Sequence, residues 1–81
     1  MNNNKKIAKI FYEIAELLEI KGIIFKPSAY RKAAQSLENL DRDVSLLYKE
    51  KGLAGIKEIS GIGKSISEKV KEYLDKGKIK Y

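Results

Sequence analysis

Apolar residues recur at three- and four-residue steps along most of the chain. Ile7, Ile10, Phe11, Ile14, Leu17 and Leu18 make one such stripe, which predicts an amphipathic helix from Lys5 to about Ile20. Lys21–Gly22 supplies its stop, a lysine in the last turn followed by glycine. "IIFKPS" is a connector in which Pro27 biases Lys26 toward an extended conformation, and Ser28 is placed to cap the next helix. That helix, "AYRKAAQSLENL", carries Tyr30, Ala33, Ala34, Leu37 and Leu40 on one face. Asp43 is placed as the N-cap of a short helix, "VSLLYKEK", with Val44 and Leu47 inward and Gly52 as its end. "LAGIKEI" continues with Leu53, Ile56 and Ile59 inward, and a turn spans Ser60–Gly63. The last helix runs to about Lys76, with Ile66, Val70, Tyr73 and Leu74 on one side and Gly77 as its stop. No period-2 alternation bounded by turn residues occurs, so no strand is predicted. The expected fold is all-α, a small bundle of four or five helices in one domain over residues 1–81.

Composition narrows the chemistry. At 81 residues the chain sits near the lower limit for folding on a single core. It has no cysteine and no histidine, which excludes disulfides, thiolate metal sites and the usual general base. Catalysis would have to use lysine, carboxylate, tyrosine or serine. No apolar run approaches a membrane span, and the first residues lack the apolar stretch of a secretory signal, so the cytoplasm is the default location. The net charge of +6 is uneven: residues 51–81 hold eight lysines against four acidic residues, and each of the two preceding thirds carries only +1. A basic excess of this kind favours a polyanionic partner, although a merely soluble lysine-rich surface gives the same sum.

The excess coincides with "EISGIGKSISEKV", Glu58–Val70. Two glycines one residue apart, between a short helical segment and a longer one, have the spacing of a helix-hairpin-helix over about residues 53–75. Ile59 and Ile62 would pack such a hairpin on the core. Gly61 and Gly63 would present backbone amides at a helix N-terminus, where an anion is held well. A DNA backbone phosphate fits that geometry and conveys no sequence information. The alternative is a plain interhelical turn. A nucleotide P-loop is excluded, because the G-K-[ST] tail lacks the preceding glycine and strand. Ser65 and Glu68 also spell a capping box. On a helical wheel with Ile66 at zero, Lys69 falls at about −60°, on the flank of the apolar face, while Lys64 and Lys71 point to solvent at about 160° and 140°. An amine withdrawn from water beside aromatic surface is a candidate Schiff-base nucleophile, and a lysine whose stem merely covers the core edge is the structural alternative.

"AYRKAAQSLENL" followed by "IKEISGIGKSISEKVKEYLDKGKI" resembles the N-terminal eight-kilodalton domain of family X DNA polymerases, the polymerase beta-like group. The resemblance runs from "KKIAKIFYEIAELLEIKG" to the end of the chain. It implies binding to gapped, nicked or abasic DNA through the backbone and the 5′-phosphate, and excision of a 5′-deoxyribose phosphate through a lysine Schiff base. Lys69 matches the nucleophile, Lys26 a phosphate-binding residue and Tyr30 the tyrosine of the "AYRK" motif. The family's hairpin also binds a monovalent cation through backbone carbonyls, here those of Lys57, Ile59 and Ile62; no organic cofactor is implied. Three positions depart from the pattern. A stacking histidine is matched by Phe25, a phosphate-binding lysine by Ser65 with Lys64 adjacent, and a later basic residue by Tyr81. Glu68 and Glu72, near Lys69 on the helix, are candidates for removing the C2′ proton. The expected protein is a monomer, at work on cytoplasmic, nucleoid DNA in a prokaryote, continuing into a polymerase domain that this chain does not itself supply. A non-catalytic, protein-binding helical module is the alternative from another class.

Overall fold

Five helices follow one another along residues 3–81, the part of the chain that the computed structural model describes: α1 Asn3–Ile20, α2 Lys26–Glu38, α3 Val44–Lys51, α4 Leu53–Lys57 and α5 Lys64–Lys76. Among the described residues there is no strand, as the hydrophobic period requires. No helix among them is long and apolar enough to cross a membrane.

α1 and α2 form the most extensive helix pair. The buried face of α1 is Ile7, Ala8, Phe11, Ile14, Ala15 and Leu18, and α2 buries Tyr30, Ala33, Ala34 and Leu37. Small residues on both faces allow close approach. They also shift the buried stripe, so that Leu17, expected inside, is 52% exposed. Val44, Ile56, Ile59, Ile62, Ile66 and Val70 join the same cluster from the second half of the chain. Leu40, Leu47, Leu53, Tyr73 and Leu74 are half-buried at its margin.

The stops act through the backbone. Beyond α1, Gly22 adopts φ +78° and donates to the Glu19 carbonyl at 3.0 Å, while Ile23 donates to Leu18 at 2.9 Å. These two bonds form a Schellman motif, which satisfies carbonyls the helix leaves unpaired. Gly77 closes α5 in the left-handed region at φ 77°.

The start of α2 differs from expectation. Ser28 does not cap it, and Lys26 is its first helical residue rather than an extended one. The chain enters α2 through a tight turn at Phe25, where φ is 75° and ψ −48°, and the Lys26 amide donates to the Ile24 carbonyl at 3.0 Å. That is a γ-turn of the rarer positive-φ kind, a strained conformation for a residue with a side chain. Pro27 falls in the first helical turn, where its missing N–H costs nothing.

Asp43 caps α3 as expected, accepting from the Ser45 amide at 2.9 Å. It also ties the start of α1 to α3, accepting from the Asn3 amide at 3.2 Å and the Asn3 side chain at 3.1 Å. Asn4 completes the link by accepting from the Val44 amide at 2.7 Å. Burial alone would push the Asp43 carboxyl up, but the hydrogen bonds from Ser45 and Asn3 outweigh it and hold the carboxyl below its ordinary value. A depressed native pKa gives stability that is present above the unfolded value, roughly 4, and is lost as pH falls through the native one. Asp43→Ala is therefore expected to lower stability by about 1–2 kcal/mol near neutrality. Urea titrations should show that deficit shrinking as pH falls below about 4.

Candidate nucleic-acid interface

α4 and α5 form the two arms of the hairpin, and residues 58–63 form its turn. Ile59 and Ile62 are buried, so the turn is anchored on the core as the sequence predicts. The first backbone bond of α5 runs from the Ser67 amide to the Gly63 carbonyl at 2.9 Å. The amides of Gly63, Lys64, Ser65 and Ile66 precede it and have no backbone acceptor among the described residues, the arrangement at a helix start that suits an anion. A Cβ added at Gly63 would meet nothing within 4 Å, so this approach is open.

Gly61 also has a structural duty. It adopts φ +89°, and a Cβ there would lie 2.6 Å from the Ser36 hydroxyl and 3.3 Å from Lys32 Cγ, both on α2. The first glycine is thus needed for a positive φ and for seating the hairpin on α2. Gly61→Ala is expected to cost about 1–3 kcal/mol of stability in urea unfolding. Gly63→Ala, with an extended backbone and open space, should unfold close to the parent chain.

The capping box is not formed. α5 begins at Lys64 with Gly63 in the capping position, so Ser65 is already inside the first turn. Ser67 is the buried serine instead, donating from its hydroxyl to the Lys64 carbonyl at 2.6 Å. No turn or cap bond among the described residues ends on the carbonyls of Lys57 or Ile62, and Ile59 accepts a single one, from the Ile62 amide at 3.1 Å.

A cavity of about 370 Å³ lies between α2 and α5, lined by Lys26, Ala29, Tyr30, Ser65, Ile66, Lys69 and Tyr81. It unites four of the sequence-selected site residues. Ser65 and Lys69 are one helical turn apart on α5, and so are Lys26 and Tyr30 on α2. Ala29 and Ile66 supply apolar wall between the polar groups. Tyr30 is buried, and its ring meets Phe11 edge-on at 5.3 Å between centroids and an interplanar angle of 73°. Burial pushes its phenol up to about 12, with the nearby Tyr81 phenol adding to the effect. Tyr30 therefore stays protonated near neutrality and can donate to an anion, but it is no base there.

Other selected residues lie elsewhere. Phe25 is 83% exposed and lines a neighbouring groove with Ile24, Pro27 and Arg31. The γ-turn aims it outward while its neighbour Lys26 enters the cavity. Arg31 is held there by a two-pronged ion pair with Glu19, at 3.0 and 2.6 Å. Lys64 is exposed at the start of α5, outside the cavity. Lys71, expected in solvent, is half-buried and bonds Asp75 at 2.9 Å, with Tyr48 donating to the same carboxylate at 2.9 Å. Glu68 and Glu72 do not face Lys69; they line a separate groove with Lys71 and Asp75, so neither is placed to take a proton in the cavity. Tyr81, which sequence reasoning noted only as a lost cation, is a wall of the cavity.

The helix-hairpin-helix domain family matches residues 2–79. The chain is 40% identical over 77 residues to the DNA polymerase/3′-5′ exonuclease PolX of Bacillus subtilis strain 168, a family X polymerase, in its N-terminal region. The match covers 94% of this chain and 12% of that relative, so the chain spans about an eighth of the relative's length. No solved structure gives a significant match. With α4, the glycine turn and α5 forming the hairpin and the match extending over almost every residue, the chain belongs to the helix-hairpin-helix domain family.

Proposed function

We propose that this domain binds gapped or nicked DNA without regard to sequence, holding the 5′-phosphate at the cavity between α2 and α5, as the N-terminal part of a family X repair polymerase. The observation that carries the reading is the convergence of Lys26, Tyr30, Ser65 and Lys69 in one cavity beside the hairpin. Two cations and two hydroxyl donors in a partly apolar recess suit a terminal phosphate. The amides of Gly63, Lys64 and Ser65 at the start of α5 would grip a backbone phosphate. Exposed Phe25 would stack on a base at the break, using a π-face that every base offers. The carbonyls of Lys57, Ile59 and Ile62 would hold a monovalent cation, placing positive charge at the hairpin.

The reading extends to 5′-deoxyribose-phosphate lyase chemistry. The Lys69 amine adds to the C1′ aldehyde of the sugar, and loss of water gives the imine. Removal of a C2′ proton then lets the C3′–O bond break, and the 5′-phosphorylated strand departs with that electron pair. Water finally hydrolyses the imine and frees the lysine. No Asp or Glu side chain lines the cavity, so the C2′ proton passes to a group other than Glu68 or Glu72.

Fluorescence anisotropy with gapped duplexes tests the binding half. Binding should be tighter with a 5′-phosphate than with a 5′-hydroxyl, indifferent to sequence, and weaker as salt rises. Equal affinity for the two ends would remove the phosphate cavity from the account. Binding to neither at moderate salt would favour a protein-interaction module instead.

A further inference from the structure

Residues 78–81 make no backbone–backbone hydrogen bond with another described residue, yet they do not lie loose on the surface. Ile79 packs against the core margin, and the Lys80 amide donates to the Glu72 carboxylate at 3.0 Å. These two anchors carry Tyr81 back over α5. Its ring centroid lies 5.3 Å from Lys69 Nζ and 6.0 Å from the Tyr30 ring, which it meets nearly edge-on at 84°. The Lys69 amine, the group that the proposed chemistry needs bare, is covered by an aromatic face. A ring face attracts the ammonium and not the neutral amine that attacks an aldehyde. The cover is light: Tyr81 is 55% exposed, and no backbone–backbone bond to another described residue holds its segment.

We propose that Tyr81 is a positioning residue that controls access to Lys69, holding the ammonium at the cavity wall until an incoming sugar-phosphate end displaces the ring. The inference rests on the proposed function in taking Lys69 as the reactive amine. Glu72 then has a defined part, far from proton abstraction: it latches the segment that bears the cover.

Labelling with pyridoxal, which has the aldehyde but not the phosphate of a sugar-phosphate end, tests this without DNA. The aldehyde forms an imine with lysine, which borohydride reduces to a stable secondary amine. Peptide mass spectrometry reads Lys69 against exposed Lys64 as an internal standard. In the parent chain Lys69 should label more slowly than Lys64. Tyr81→Ala should raise Lys69 labelling roughly two- to fivefold, the factor equivalent to one exposed cation–π contact. Tyr81→Phe keeps the ring face and should behave as the parent. Glu72→Ala should raise labelling in the same direction, while Glu72→Gln, whose amide oxygen still accepts from Lys80, should not. Equal labelling of Lys69 and Lys64 in the parent, or no rise in Tyr81→Ala, would overturn the proposal. Absence of any DNA adduct alongside the expected labelling pattern would count against the lyase reading and leave the role of Tyr81 standing.

Discussion

Lys69→Ala is expected to abolish the adduct that borohydride traps between this domain and abasic DNA, and to leave gapped-DNA binding within a few-fold of the parent. The asymmetry follows from what the side chain does. Its amine is the nucleophile of the proposed lyase step, and no other side chain in the cavity replaces it: Lys26 lies on the other wall, and Tyr30 stays protonated. Binding, by contrast, is spread over the hairpin amides and several cations, so one lost charge mainly lowers the salt slope by about one. Lys69→Arg separates charge from chemistry. Guanidinium keeps the positive charge and the contact with an aromatic face but remains protonated, so it should restore binding and leave trapping absent. Full trapping in either variant would assign the imine to another amine, with Lys26 the first to examine. No trapping in the parent would end the lyase reading and leave the DNA-binding one to its own test.

What the sequence made legible is whatever depends on neighbours three or four residues away. Helix periods, the Asp43 cap and the glycine stops at 22, 52 and 77 are of that kind, and all appear in the structure. So is the pairing of Ser65 with Lys69 on one face of α5. The misses are contacts between distant segments, or strain that such contacts maintain. The spacing of Leu17 places it inside, but the small faces of α1 and α2 turn the buried stripe toward Ala8 and Ala15. Phe25 lies in a positive-φ turn that no propensity favours, because the Schellman motif of α1 and the start of α2 fix the chain on both sides of it. The turn pattern marks Gly61 as a glycine that presents its amide, and its further contact with Ser36 and Lys32 is visible only with α2 in place. Lys69 on the helical wheel sat correctly at the edge of the apolar face. That an aromatic residue twelve positions later would cover it depended on the Lys80–Glu72 bond.

The second large effect is on stability, and it reaches the cavity through the core. Phe11 is fully buried on α1 and is the edge-on partner of Tyr30. Phe11→Ala removes a whole ring from a packed interior and is expected to cost about 3–5 kcal/mol. A domain of this size has a total stability of order 4–12 kcal/mol at typical per-residue values, so the variant should be marginal or largely unfolded at 25 °C. Urea denaturation followed by circular dichroism measures this directly. Phe11→Leu is the informative companion. It keeps most of the apolar volume and should retain the fold, yet it loses the ring that Tyr30 leans on, an aromatic pairing worth about 0.5–1.5 kcal/mol beyond burial. Tyr30 would then be free to shift within the cavity wall. In anisotropy titrations Phe11→Leu should lose part of the preference for a 5′-phosphate while its binding to uninterrupted duplex stays near the parent's, because the hairpin amides lie on α5 and the turn before it. An unchanged preference would show that Tyr30 keeps its place without the Phe11 ring. A reduced preference at full folding would show that a residue with no access to DNA sets the geometry of the group that meets the phosphate.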